Sequence, residues 1–255
     1  MKTQIKKWTL RITVTCLFIL GLLVGIILHP GLLYAGSSVD GHYTIYHQRQ
    51  LGPSFAVRLH DADALVRSSE LYDGSLQLSV CLNDGPYHVE VIRMTRGNAF
   101  GWGIGNDILA LGGNMNARDN YSEIRDYKWN LTELIAHEAT HCFQFHKYGL
   151  WHSNPIARIP EWKWEGYPEY VARKNKVGLV QNIKHLQEVE QTDNNNWIGF
   201  ADGTGTVIPY YKNWLLVQYC MDIKHMSCDA LLKDNTQEEL VRQEMMGWYE
   251  GHEHH

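Results

Sequence analysis

The sequence lacks a basic cluster beyond its N-terminal flank, and its 23 Lys and Arg against 28 Asp and Glu give a formal charge of −5. A protein that binds nucleic acid needs a positive face to replace displaced counterions, so nucleic acid is excluded as a partner. Internal repeats and low-complexity tracts are absent as well, which leaves one ordinary domain with its own core as the expectation for the roughly 220 residues after the N-terminal segment. A phosphate loop is also missing. Gly101-Trp102-Gly103-Ile104-Gly105 is rich in glycine, but a loop that cradles phosphate must follow a strand and open directly into a helix; structural glycine is the better account. Cysteine is sparse, five in all. Cys142 beside His141 makes no nucleophilic pair, because adjacent residues of a helix point about 100° apart.

The one long apolar run spans residues 12–28, preceded by Lys2, Lys6, Lys7 and Arg11 and closed by His29-Pro30-Gly31. Its length is at the short limit for crossing a bilayer and long for the apolar part of a cleaved signal. Residues 1–35 are therefore expected to act as a signal-anchor, with the basic flank cytoplasmic and the rest of the chain outside. Ala35, Gly36 and Ser37 leave secretion after cleavage as the alternative. In an oxidising compartment Cys81, Cys142, Cys220 and Cys228 could form two disulfides in any of three connectivities, Cys220 with Cys228 being a plausible local staple, while Cys16 lies in the apolar run.

What is present is His137-Glu138-Ala139-Thr140-His141. On a helix, residues four apart share one face, so both imidazoles reach a single ion, and Glu138 lies beside a metal-held water without ligating the metal. This spacing points to a catalytic zinc with its general base. A helix is expected over residues 131–147: Asn130 caps it, Glu133 reaches back to the cap amide, apolar residues follow at helical spacing, and Gly149 stops it. The position six residues after His141 is Lys147, which cannot serve as a third ligand while protonated, and Gln144 replaces the glycine that a three-histidine site needs. His146 lies about 180° round the helix from His137 and reads as a surface residue.

A downstream carboxylate remains, and Trp164-Glu165-Gly166-Tyr167-Pro168-Glu169-Tyr170 offers two. Pro168 belongs in the first turn of a helix, which places that helix's start near residues 165–167. The residues alone leave Glu165 and Glu169 open. The pentapeptide followed by Glu-Gly-x-x-Glu-Tyr resembles the gluzincin branch of zinc metallopeptidases, a peptidase-MA-like family. That resemblance implies Glu165 as the third zinc ligand and leaves Glu169 to fix a ligand imidazole through its free N–H. Two departures from the family pattern are Pro168, where a small residue is usual, and the longer gap from His141 to Glu165. The additional loop, residues 147–159, carries Trp151, His152 and Pro155 and could form a lid or cleft wall.

Elsewhere, residues 62–71 read as a helix, 76–82 as a strand, and 87–94 as a second strand after an Asn83-Asp84-Gly85 turn. Residues 107–111 read as a strand, which the resemblance makes the sheet edge that binds substrate. Residues 210–221 read as a buried helix, and Thr236 with Glu239 caps a last one running to 248. The expected fold is α+β and zincin-like: a small mixed sheet with the motif helix and C-terminal helices over residues 62–248, after a lead-in at 36–61 and before a histidine-rich tail at 249–255, where His252, His254 and His255 read as a solvated end. The expected chemistry is zinc-dependent hydrolysis of a peptide or protein substrate, with Glu138 as base and Tyr210 or Tyr211 as donor to the oxyanion. Aminopeptidases resembling this branch receive the substrate's free amine with an acidic residue on a Gly-containing segment upstream of the motif; residues 112–116, the nearest such segment, hold no carboxylate, so the resemblance implies an endopeptidase over an aminopeptidase. A catalytically silent zinc domain that binds an extracytoplasmic partner, and a zinc hydrolase of non-peptide amides, are the alternatives.

Overall fold

The apolar run forms the greater part of one long helix, α1 (Lys2–Leu28), in a computed structural model that describes residues 2–85, 87–174, 176–192 and 196–252. Lys6–Leu28 is long and apolar enough to cross a membrane or to serve as a signal sequence, and none of it is buried inside the protein. His254 and His255 lie outside the described residues.

Beyond α1 the chain is α+β, with small sheets and shorter helices. β1 (Gly36–Asp40) and β2 (Tyr43–His47) form a hairpin, and α2 (Pro53–Val66) leads to β3 (Leu78–Cys81). Residues 36–61 thus contribute two strands and most of a helix. Then come α3 (His88–Arg96), β4 (Gly101–Ile104) and β5 (Ile108–Leu111). The main sheet has the order β1-β2-β3-β5-β4, parallel across β2-β3-β5 and antiparallel at both margins. β6 (Asn114–Asn116), β7 (Tyr121–Ile124) and β8 (Tyr127–Asn130) make a second, antiparallel sheet. β8 runs directly into α4 (Leu131–Tyr148), the motif helix. Then follow α5 (Glu161–Trp164), α6 (Gly166–Ala172), α7 (Leu179–Thr192), the hairpin of β9 (Trp197–Gly199) and β10 (Gly205–Val207), α8 (Ile208–Gln218), α9 (Cys228–Lys233) and α10 (Glu238–Glu250). α4 packs against α2, α6, β4 and β5, and every residue from Leu131 to Phe145 is buried.

Several expectations from sequence are corrected. Residues 87–94 are not a strand: His88, Val89 and Ile92 are buried at helical spacing, so period 3.6 prevails over a short β-branched run. The hairpin turn is not made either. Asp84 accepts the backbone N–H groups of Gln48 and Arg49, and Asn83 donates to the Gly112 carbonyl, tying this loop to neighbouring segments. The helix expected at 62–71 runs instead from Pro53, where proline at the first helical position costs no hydrogen bond, to Val66, so residues 67–71 lie beyond it. The last helix is not capped by Thr236, whose hydroxyl donates to Asp234, while Glu239 pairs with Arg242. Cys81, Cys142, Cys220 and Cys228 are buried free thiols with no disulfide among them, so the Cys220–Cys228 staple is not formed. Burial raises their pKa values, that of Cys220 to about 11, and Cys142 donates to the Ile108 carbonyl.

Candidate metal centre

The centre is assembled from α4, the joint of α5 and α6, β4 and α8, and α4 supplies its base. The Asn130 side chain accepts the Glu133 N–H at 3.2 Å, as the cap requires. The reciprocal bond is not made, because the Glu133 carboxylate turns to Arg173 and Lys176 instead. Gly149 ends the helix at φ +72°, in the left-handed region, and returns its N–H to the Phe145 carbonyl. Between these ends, His137 and His141 face the same side, their ring centroids 4.9 Å apart.

Glu165 joins the short α5 to α6, and Pro168 sits in the first turn of α6, so the joint falls where the proline places it. Its Oε2 lies 3.1 Å from His141 Nε2 and 3.5 Å from His137 Nε2. Burial raises the Glu165 pKa, but the charges and hydrogen bonds of His141 and His137 outweigh it and hold the carboxyl well below the usual range. Glu138, His137 and His141 each offer a ligand atom within 4.8 Å of the others. Burial pushes the Glu138 carboxyl up, with the two histidines and the Gly103 N–H pulling it down.

The outer nitrogens of the histidines are also engaged. His137 Nδ1 lies 2.9 Å from Glu169 Oε1. His141 Nδ1 lies 2.8 Å from Gln144 Oε1, and the Gln144 amide donates to the Trp164 carbonyl. The Gln144 oxygen accepts from His141 Nδ1, which places the proton there and leaves the Nε2 lone pair facing the centre, while Glu169 sets a negative charge beside His137 Nδ1.

β4 forms the opposite wall. It is the margin of the main sheet, and β5 is buried between it and β3; the strand beside the motif is therefore β4, not residues 107–111. The hairpin through Gly105 turns β4 outward, which strand propensity alone does not reveal. A Cβ at Gly101 would stand 2.7 Å from Glu138 Cγ, and one at Gly103 would stand 2.6 Å from His141 Cβ. Glycines two apart on one strand face let the strand lie directly against the motif helix.

Tyr210, in the first turn of α8, stacks on the His137 ring at 5.9 Å and 16°. Burial, then the charges of Glu165 and Glu138, push its pKa up, so the phenol stays protonated. Tyr211 is not in the site: one residue further round the helix it is buried in the core, donating to Asn182 Oδ1 at 3.0 Å. His146 and Lys147 face away and pair with Asp73 and Asp229. A cleft of about 400 Å³ opens over the centre, with Gly101, Trp102 and Gly103 on one wall and Trp164, Asn154 and Pro155 on others. The 147–159 loop thus contributes a cleft wall, while its Trp151 is exposed. Among the described residues lining the cleft, Glu138 and Glu165 are the only carboxylates.

Sequence reasoning missed Gln144 and Arg173. Gln144 is three residues past His141, on the same helical face. Arg173 is four past Glu169, fully buried, ion-paired to Glu169 and Glu133, and ringed by Trp129, Phe200 and Trp214 at 5.5 to 5.6 Å. Both spacings are legible in the sequence, but burial is not.

Comparison of the chain with family models, curated proteins and solved structures finds no match.

Proposed function

We propose that the chain is a membrane-anchored zinc metallopeptidase of the gluzincin type, with its domain outside the cytoplasm and internal peptide bonds as its substrate. The observation that carries this reading is the convergence of His137 Nε2, His141 Nε2 and Glu165 Oε2, with 3.1 and 3.5 Å from the carboxylate to the two nitrogens. Ligands about 2.1 Å from a tetrahedral ion stand about 3.4 Å from one another, so the donor set fits zinc in spacing and in type. A zinc ion held there supplies a positive charge that polarises a carbonyl and acidifies a water.

The chain's own groups do the rest. Glu138 takes the proton of the attacking water and passes it to the departing amine. Tyr210, beside Glu165, donates its phenolic hydrogen to the carbonyl oxygen as negative charge grows there. The free edge of β4 offers backbone donors and acceptors to an extended peptide. Among the described residues lining the cleft, no carboxylate beyond Glu138 and Glu165 is available for a substrate's terminal amine, which favours cleavage within a chain. A silent binding domain has no use for a buried carboxylate beside the ligand nitrogens.

The test is metal analysis of the full chain in detergent, beside cleavage of an internally quenched peptide. Wild type and Glu138→Gln should each carry one zinc, with turnover in the variant lower by about 10²–10⁴-fold. Undiminished turnover in that variant refutes the mechanism. N-acetylation of the peptide should leave the rate unchanged; release of single N-terminal residues, abolished by acetylation, would reassign the enzyme as an aminopeptidase.

A further inference from the structure

The foot of α1 is built into the folded domain. His88 Nε2 on α3 lies 3.1 Å from the Ile27 carbonyl, and Tyr34 packs on His88 at 5.6 Å. Ile27 and Tyr34 both rest on the cluster of Cys81, Val89 and Ile92. The span Lys6–Leu28 rises about 35 Å at 1.5 Å per residue, only about 5 Å more than the roughly 30 Å hydrocarbon thickness. If this run spans, about one helical turn at most separates Leu28 from the hydrocarbon boundary. An element docked on the last turn of α1 then lies at the bilayer interface.

That element carries an apolar face that is exposed among the described residues. Tyr87, Val91 and Met94 follow at steps of four and three along α3, opposite the buried His88, Val89 and Ile92. Met94 is 83% exposed and Tyr87 61%; Leu28, the last residue of α1, is 50% exposed and Leu32, in the turn after it, 71%. Single exposed apolar residues need no explanation, but these are gathered around the foot of an apolar helix that the protein itself leaves uncovered. The one carboxylate on that side of α3, Glu90, is paired with Arg93, and tyrosine is a residue favoured at the membrane interface.

We infer that the outer face of α3, with Leu28 and Leu32, is a lipid-contact surface that lies in the bilayer interface and holds the domain against the membrane. The occupant is lipid because the surface continues that of α1, which is long and apolar enough for a bilayer. The inference does not depend on hydrolysis or on metal. It has one consequence for the cleft: Arg96 and Ala99, at the end of α3 and just beyond it, line the cleft, so one wall stands beside the lipid headgroups.

The test places an environment-sensitive fluorophore at Tyr87→Cys, Met94→Cys and, as control, Leu240→Cys on α10, where the leucine is 50% exposed. Each is made in the full chain carrying Cys16→Ala, the other four cysteines being buried, and is reconstituted in phosphatidylcholine vesicles containing phosphatidylglycerol. Aqueous iodide should quench the probes at 87 and 94 at least about threefold less than the probe at 240, and spin-labelled lipid should quench them more, as expected of side chains lying in the interface. Equal iodide access at all three positions would overturn the inference. So would intact-mass analysis showing that the mature chain has lost residues 1–28. Neither result bears on zinc content or on the Glu138→Gln comparison, so this proposal and the peptidase reading fail separately.

Discussion

The two histidines of the motif differ less in position than in what holds them from behind. His137 leans on a chain of charges: Glu169 at 2.9 Å, then Arg173, then Glu133, then Lys176 at 2.5 Å. His141 leans on a neutral amide, Gln144 at 2.8 Å, itself held by the Trp164 carbonyl. One support runs through buried ionic groups to the exposed Lys176, and the other ends within the site on α5. An ionic support strengthens a ligand's basicity more than a neutral one, but it makes fold stability depend on every buried partner remaining paired. The two sides should therefore fail differently.

The largest break is expected at Arg173. Arg173→Met leaves Glu169 buried without its ion pair and removes one of Glu133's two cations, and stranding buried charge costs about 3–5 kcal/mol. Urea unfolding of the metal-free chain should show a loss of that size. Adding Glu169→Leu should recover part of it, because an apolar pair replaces an ionic one. A loss under about 1 kcal/mol in the single variant would mean that the ionic side carries no such dependence.

Next in size are the carboxylates. On the proposed reading Glu165→Gln removes an anionic ligand and should weaken zinc affinity by more than 100-fold, beyond the 10–100-fold expected for Glu169→Gln, which only loosens the hold on His137. Competitive metal titration orders the two. The reverse order would make Glu169 the ligand.

The smallest effect is expected on the neutral side. Gln144→Ala should lower zinc affinity by about tenfold or less, the low end for a group that orients a ligand, and should cost about 1 kcal/mol of stability for its neutral hydrogen bonds. A larger loss of affinity than in Glu169→Gln would invert the comparison and make His141 the ligand more dependent on its support.

How much of the site was legible in the sequence follows the range of the forces involved. The Asn130 cap, the shared face of His137 and His141, and the helix start that Pro168 imposes near Glu165 are set within one or two turns, by backbone hydrogen bonding and proline sterics. Gln144 and Arg173 also lie at fixed helical offsets from His141 and Glu169. Their importance comes from burial against Trp164, Trp129 and Trp214, which residues distant in sequence create.

By itself, then, the sequence determined the motif helix, the side on which its histidines stand, the two glutamates open to them, and an N-terminal helix apolar enough for a membrane. Tertiary structure alone decided that β4 rather than β5 borders the site, that residues 88–96 coil instead of pairing, that Tyr210 faces Glu165 while Tyr211 enters the core, and that four cysteines remain thiols. Each of these turns on which distant segments become neighbours, and a strand's place in a sheet or a side chain's burial is a property of the neighbour as much as of the residue.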